Sequence, residues 1–300
     1  MKHFLPSFLF FLAFAIPAAA APRFEEAAAL YQDKDYEKAL PVAEALATAG
    51  DVRAMAMLGR LYQKGEGVTV DLDRAIKWYG RAADAGDGRS QFALAMIYLD
   101  GSLGSVEYDT GAKWLRLAAG TGDREAQFNM GLLSSGAFGN PPDWPEAARW
   151  YRLSAEQGFA EGQYNLGVLY LEGNGVEKNE IAAAGWLAKA AAQGNADAAL
   201  DYGVLVFRGE GVRKDERIGA KWLLVAARRG NVVAQNRLAR LYAYGKGVAL
   251  DPIEALKWNL LAAKGGRPDA ELDSLLSKLD AKQKSEAQAR ADAFKAEGAD

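Results

Sequence analysis

Carboxylates are the side chains through which this 300-residue sequence could do acid–base chemistry. The sequence contains no cysteine, and its one histidine is His3, close to the N-terminus. If residues 1–21 are cleaved as a signal peptide, as predicted below, the mature chain lacks the residues for Ser-His-Asp and Cys-His catalysis, for the usual zinc sites, for haem ligation by histidine and for disulfides. Paired carboxylates, as in glycan hydrolysis, are the main hydrolytic chemistry that remains. We predict no metal site and no cofactor.

A Gly-x-Gly-Val sequence occurs four times, and such a loop could hold a phosphate if it followed a β-strand. The copies occupy residues 65–68, 173–176, 209–212 and 245–248. No strand pattern precedes any copy, so we interpret them as loops between helices. Two related segments, 101–104 and 136–139, depart from the pattern and predict an altered local shape.

Tryptophan could stack on sugars or cations, but its spacing here indicates another role. Six of the seven tryptophans recur every 36 residues, at Trp78, Trp114, Trp150, Trp186, Trp222 and Trp258. Each is followed four residues later by a pair of small residues, such as Ala190-Ala191 after Trp186. We therefore predict that the tryptophans are structural residues packed in the core of a repeated unit.

Each 36-residue unit predicts two helices, named helix A and helix B. Helix B carries the tryptophan and runs, in the first unit, from about Asp71 to Ala85. Residues suited to the N-cap of helix B recur at Asp71, Glu107, Asp143, Asn179, Asp215 and Asp251. Glycines suited to a left-handed C-terminal position follow at Gly86, Gly122, Gly158, Gly194, Gly230 and Gly266. Helix A carries pairs such as Leu166-Gly167, whose small residue lets a neighbouring helix approach closely.

These units resemble Sel-like repeats (SLR), relatives of the tetratricopeptide repeat. The fourth unit carries the resemblance best, with Gly162, Leu166-Gly167, Tyr170, Gly173, Gly175-Val176, Ala183, Trp186, Ala190-Ala191 and Gly194. The resemblance implies an all-α fold, a right-handed α-solenoid superhelix of helix-loop-helix repeats. It also implies protein–protein interaction, with exported bacterial members linked to envelope signalling and exopolysaccharide control. A cysteine-rich branch associated with β-lactam binding is not matched, because this sequence has no cysteine.

The start of the sequence predicts export. Lys2 precedes an apolar stretch from Phe4 to Ile16 and the small residues Ala18 to Ala21. This is typical of a cleaved signal peptide, and the stretch is too short for a permanent membrane-spanning helix. We therefore expect no transmembrane segment in the mature chain, and a periplasmic or, alternatively, secreted location. The predicted domains are a signal peptide (1–21), a degenerate N-terminal capping repeat (22–50), six repeats (51–86, 87–122, 123–158, 159–194, 195–230 and 231–266) and C-terminal capping helices (267–300).

The resemblance to tetratricopeptide repeats places one stripe of helix A on the concave surface. By register this helix A stripe comprises residues 53, 56, 60, 63 and 64 and their equivalents. In the middle units it is apolar, with Phe92, Met96, Leu99, Phe128, Leu132, Tyr164, Val168, Leu171, Leu200, Val204 and Phe207. Its ends carry Arg53, Arg60, Lys64 and Arg240, and Glu125, Glu161 and Asp197 line one border. The stripe either forms an exposed binding groove or, under tight superhelical curvature, is buried between hairpins.

Together these features predict a non-enzymatic, exported scaffold or regulator. Its expected partner is another protein, envelope or membrane-anchored, bound through the helix A stripe. A formal net charge of −3 argues against nucleic acid as a partner. The alternative is a cell-wall glycan-binding protein or one that cleaves glycan through paired carboxylates.

Overall fold

The computed structural model describes residues 23–298, and every regular element within that range is an α-helix. The predicted signal peptide, 1–21, lies outside the described residues. In chain order the helices are α1 (Phe24–Gln32), α2 (Tyr36–Thr48), α3 (Val52–Lys64), α4 (Leu72–Asp84), α5 (Gly88–Leu99), α6 (Tyr108–Gly120), α7 (Arg124–Ser134), α8 (Trp144–Glu156), α9 (Ala160–Glu172), α10 (Glu180–Ala192), α11 (Ala196–Arg208), α12 (Glu216–Arg228), α13 (Val232–Tyr244), α14 (Pro252–Lys264), α15 (Ala270–Leu276) and α16 (Ala281–Asp292).

The helices form hairpins in which helix A is odd-numbered, from α3 to α13, and helix B is even-numbered, from α4 to α14. The described chain divides into two compact units, the first ending at Ser90 and the second starting at Gln91, and the division falls inside α5. Within each unit, helices pack mainly on their neighbours in sequence. Such nearest-neighbour packing of similar hairpins defines the α-solenoid class that the sequence predicted.

Side-chain caps begin most of the helices B. The side chains of Asp71, Asp143, Asn179, Asp215 and Asp251 accept hydrogen bonds of 2.9–3.1 Å from backbone N–H groups of the first turn. The prediction is wrong at Glu107, which makes no such bond, because the longer glutamate side chain is not a favoured N-cap. All six predicted terminal glycines adopt the left-handed conformation, with φ between 82° and 95°.

The residue that follows each tryptophan in helix B packs against a small residue of helix A. A Cβ atom on Gly167 would lie 2.8 Å from the Cγ atom of Leu187, so only glycine allows this approach. The six residues in the position after tryptophan are all buried: Tyr79, Leu115, Tyr151, Leu187, Leu223 and Asn259. The predicted close approach of the two helices is therefore confirmed.

The tryptophans themselves are less buried than the sequence predicted. Trp150 and Trp258 are buried, but the other four are only partly buried. In helix B, the side chain that points into the core is that of the residue after the tryptophan, which contacts the small residue of helix A. A cation from the same helix lies over the rings of Trp78, Trp114, Trp150, Trp186 and Trp258, and the Lys189 Nζ atom is 4.0 Å from the centre of the Trp186 ring.

The second glycine of each Gly-x-Gly loop has a packing role. A Cβ atom on Gly175 would lie 2.6 Å from the backbone nitrogen of Pro145, and one on Gly211 would lie 2.8 Å from that of Ile181. Each loop thus contacts the start of helix B in the preceding repeat. The interpretation as inter-helix loops is confirmed, and Gly139, in one of the divergent loops, meets no neighbouring atom within 4 Å.

Buried glutamines link successive hairpins and were not predicted from the sequence. The Nε2 atoms of Gln127, Gln163 and Gln235 donate to carbonyls near the end of the preceding helix B, at 3.1–3.4 Å. The Oε1 atoms of Gln127 and Gln163 accept 2.8 Å hydrogen bonds from Gln157 and Gln193. These hydrogen bonds satisfy polar groups that burial would otherwise leave unpaired.

The C-terminal helices cover the end of the second unit. Helix α15 is short, with 7 residues, and its N-cap Asp269 accepts a hydrogen bond from the backbone N–H of Leu272. Helix α16 begins with a capping box formed by Asp280 and Gln283 and packs on α14. Just beyond it, the ring of Phe294 meets Trp258 edge-on, with 5.5 Å between the ring centres. Trp258 is therefore enclosed by the C-terminal segment.

Candidate protein-binding surface

The helix A stripe lies at the surface of the second unit, but its apolar side chains are not freely exposed. Ten of the eleven are partly buried: Phe92, Met96, Phe128, Leu132, Tyr164, Val168, Leu171, Leu200, Val204 and Phe207. Most of them also pack against buried core residues. The exposure of the stripe thus lies between the two arrangements that the sequence allowed, an exposed groove and a fully buried surface.

Leu99 is the exception, and its placement on an exposed stripe is wrong. It is 2% exposed, and its Cδ2 atom lies 2.8 Å from where a Cβ atom on Gly111 would be. Phe207 has the same relationship with Gly219, three repeats later. In these two repeats, a glycine of helix B leaves room for the large side chain of helix A.

Phe128 belongs to an aromatic cluster. Its ring centre lies 5.3 Å from that of Phe159 and 5.9 Å from that of Tyr151, and both rings are tilted relative to it. Tyr151 is buried in the same hairpin, whereas Phe159 immediately precedes α9. Phe128 therefore supports the junction between two successive hairpins as well as contributing to the surface.

Tyr164 contacts a carboxyl group of the next helix A. Burial and the nearby charge of Asp197 raise the pKa of Asp201 to about 6, although Arg237 and a hydrogen bond from Tyr164 lower it. Burial, followed by the charges of Asp201 and Asp197, raises the pKa of Tyr164 to about 12. The sequence analysis did not include Asp201, because its register position lies beside the predicted stripe.

The acidic border is exposed. Glu125, Glu161 and Asp197 lie at the starts of α7, α9 and α11 and are all exposed. Asp197 accepts a 2.7 Å hydrogen bond from Asn231. Within residues 23–298, the carboxylates of Glu125 and Glu161 make no hydrogen bond or ion pair, so both are available to a basic partner.

The basic residues predicted at the ends of the stripe are mostly paired. In the first unit, Arg53 binds Asp51 and Glu25 at 3.1 and 3.2 Å, and Arg60 lies 3.9 Å from Glu66. In the second unit, Arg240 forms a two-pronged ion pair with Asp269 at 2.8 and 2.9 Å. These arginines therefore stabilise local structure.

A pocket of about 270 Å³ lies between α11 and α13 in the second unit. Its apolar lining comes from Val204, Phe207, Leu223 and Leu241, and three arginines complete it: Arg208, Arg237 and Arg240. Only Val204, Phe207 and Arg240 were singled out from the sequence. Arg237 is basic where the equivalent residues are Met57, Ala93, Asn129, Asn165 and Asp201. This change to a basic residue at an otherwise uncharged or acidic register position is the sequence signal that could have identified Arg237.

The described residues contain no cluster of side chains that could bind a metal ion. Between residues 23 and 298, no three acidic or histidine side chains cluster in a way that could hold a metal ion. In the same range, no helix combines the length and apolar character needed to cross a membrane.

The fold and surface together define an α-solenoid repeat protein with a partly apolar helix A stripe. The Sel1 repeat model matches six consecutive segments, residues 52–87, 88–123, 124–159, 160–195, 196–231 and 232–266. The chain belongs to the Sel1 repeat family. Its repeats form a scaffold suited to protein–protein interaction.

Solved structures include similar proteins. A Sel1 repeat protein from Oxalobacter formigenes is 29% identical, with a TM-score of 0.68, over 79% of this chain and 95% of its own. The protein c5321, a protective antigen present in uropathogenic Escherichia coli strains and displaying an SLR fold, is also 29% identical, with a TM-score of 0.56. That match covers 86% of this chain and 64% of c5321. No curated protein matches the chain significantly.

Proposed function

We propose that this protein is an exported, periplasmic scaffold or regulator that binds another protein of the cell envelope through the helix A stripe. The observation that supports this proposal is the pairing of partly exposed apolar side chains on α7, α9 and α11 with an exposed acidic border. Glu125 and Glu161, whose carboxylates have no hydrogen bond or ion pair within residues 23–298, stand three residues before Phe128 and Tyr164 on the same helices. An amphipathic helix with one apolar and one basic face would complement this surface.

The proposed export depends on residues 1–21. Expression of the full sequence in a Gram-negative host should yield an exported chain that lacks this segment, and intact mass spectrometry of the periplasmic fraction measures this. Retention of the uncleaved chain in the cytoplasm would contradict export. It would leave the helix A stripe as a candidate surface for a cytoplasmic partner.

A second candidate function is binding or cleavage of cell-wall glycan. One observation favours it: Asp197 and Asp201 are one helical turn apart on the helix A surface, and the pKa of Asp201 is raised to about 6. A carboxyl group whose pKa is raised by burial, with a second carboxyl group nearby, resembles the pair of acidic residues that glycan hydrolysis uses. Binding to purified sacculi and release of soluble fragments would support this candidate.

Site-specific photo-crosslinking in intact cells tests the proposed function. A photo-reactive residue at Glu172, the last residue of α9 and on the helix A stripe, should capture one discrete protein. The matched control is the same residue at Ile181, which is 74% exposed at the start of helix B. Equal capture at both positions, or none at Glu172, would overturn the proposal.

A further inference from the structure

The pocket between α11 and α13 combines an apolar lining with positive charge that the described chain does not neutralise. Leu223 and Leu241 are almost entirely buried, and the partly buried Val204 and Phe207 complete the apolar lining. The volume of about 270 Å³ is slightly below the roughly 300–1,000 Å³ of pockets for drug-sized ligands. It therefore suits one or two side chains better than a cofactor.

The three arginines differ in how far their charge is compensated. Arg240 is held by Asp269 and by Glu271, the latter at 2.9 Å. Arg208 has a looser contact, 3.5 Å from the partly buried Glu210. Arg237 makes no hydrogen bond or ion pair within residues 23–298, although Asp201 is close enough to influence its charge.

The charges near Arg237 are mostly positive, which favours the binding of an anion in the pocket. Arg237 is exposed as a whole residue, but partial loss of water around its charge, together with the positive charges of Arg208 and Arg267, lowers its pKa, and only Asp201 opposes this effect. An arginine side chain stays protonated despite such a shift. The pocket thus concentrates positive charge beside an apolar surface.

We infer that this pocket receives an Asp or Glu side chain that lies within two residues of a large apolar side chain in the partner protein. The apolar side chain would occupy the space between Val204, Phe207 and Leu241, and the carboxylate would bind the guanidinium of Arg237. Arginine is suited to this role because its planar donors match the two oxygens of a carboxylate. This inference rests on the proposed function, since it specifies one contact of a protein partner on the helix A surface.

Selection of peptides from a phage-displayed library of random dodecapeptides tests the inference on the purified protein. Recovered peptides should be enriched in Asp or Glu close to Phe, Leu, Ile or Trp. Their affinity should fall about ten-fold or more with Arg237→Gln and further with Arg237→Glu. Arg213→Glu is the matched control, because Arg213 is an exposed loop arginine without a hydrogen bond or ion pair among the described residues. Its affinity should stay within about two-fold of the unmodified protein.

Several outcomes would overturn the inference. They are recovery of no binding peptides, recovery of peptides without acidic enrichment, and equal losses with Arg237→Glu and Arg213→Glu. Binding of free phenylacetate that depends on Arg237, without peptide selection, would assign the pocket to a small carboxylate. Self-association of the protein that disappears with Arg237→Glu would assign it to a second copy of this chain.

The two proposals fail in distinguishable ways. If only the pocket inference is wrong, the photo-reactive residue at Glu172 still captures its partner and Arg237→Glu leaves the capture unchanged. If the proposed function is wrong, capture at Glu172 is absent in the unmodified protein. Melting curves of each arginine variant establish that a loss of binding is not a loss of folding.

Discussion

Phe207 of α11 lies directly over Gly219 of α12, so that a methyl group on Gly219 would come within 2.7 Å of the Phe207 Cβ atom. We expect Gly219→Ala to destabilise the protein by about 1–3 kcal/mol, because the backbones of the two helices must separate to admit the methyl group. The midpoint of urea unfolding measures the effect.

Gly185→Ala is the matched control. Gly185 also lies inside a helix B, but a Cβ atom there would meet nothing within 4 Å. This substitution should stabilise the protein by about 0.5–1 kcal/mol through helix propensity alone. Equal effects of the two substitutions would show that Phe207 does not constrain the hairpin.

Leu187→Ala tests which residue of helix B forms the core. Leu187 is fully buried against Gly167, whereas the preceding Trp186 is only partly buried. We expect Leu187→Ala to cost about 2–5 kcal/mol, the usual range for a buried leucine. Ile181→Ala, at a residue that is 74% exposed, should change stability by no more than about 0.5 kcal/mol. A cost for Leu187→Ala as small as that of the control would contradict the assignment.

The tryptophan register illustrates what the sequence can and cannot predict. Its period of 36 residues identifies the repeat, the two helices and their caps, because these depend on local patterns. Burial depends on rotation of helix B about its axis, and one residue corresponds to about 100° of rotation. Identical spacing of Trp186 and Leu187 therefore could not show which of them faces Gly167.

The candidate surface was predictable to a similar extent. The register predicts that Glu125 and Glu161 share one border of the helix A stripe, since residues in the first turn of helix A recur in equivalent positions. It could not show that Leu99 packs into the space left by Gly111, because that contact pairs residues on two helices. Arg237 escaped notice because its importance depends on the apolar side chains of a neighbouring repeat.

Asp201→Asn should stabilise the protein at high pH. The pKa of Asp201 is raised to about 6, so the folded state holds the proton more tightly than the unfolded chain does. Stability therefore falls as the pH rises from about 4 to 6, and the penalty is complete above that range. At pH 8 the substitution should gain roughly 1–3 kcal/mol. Near pH 4 the gain should vanish, and a gain independent of pH would show that Asp201 does not titrate in this way.

Phe128→Ala tests whether the aromatic residues of the helix A stripe support the fold. Because Phe128 contacts both Phe159 and Tyr151, we expect a loss of about 3 kcal/mol in the free energy of unfolding. Phe128→Leu retains apolar volume and should lose less. A melting curve identical to that of the unmodified protein would show instead that Phe128 is available to a partner without a structural role.

Charge reversal at the acidic border separates binding from folding. The carboxylates of Glu125 and Glu161 are exposed and make no hydrogen bond or ion pair within residues 23–298, so their replacement by lysine should change stability by no more than about 0.5 kcal/mol. The double variant should nevertheless reduce crosslinking from Glu172 about ten-fold, because two like charges would then face a basic partner segment. Glu177→Lys, at an exposed loop position, is the control for the change in net charge that each single Glu→Lys substitution makes. If the control reduces crosslinking as much as the double variant does, the border contributes only general charge and does not contact the partner.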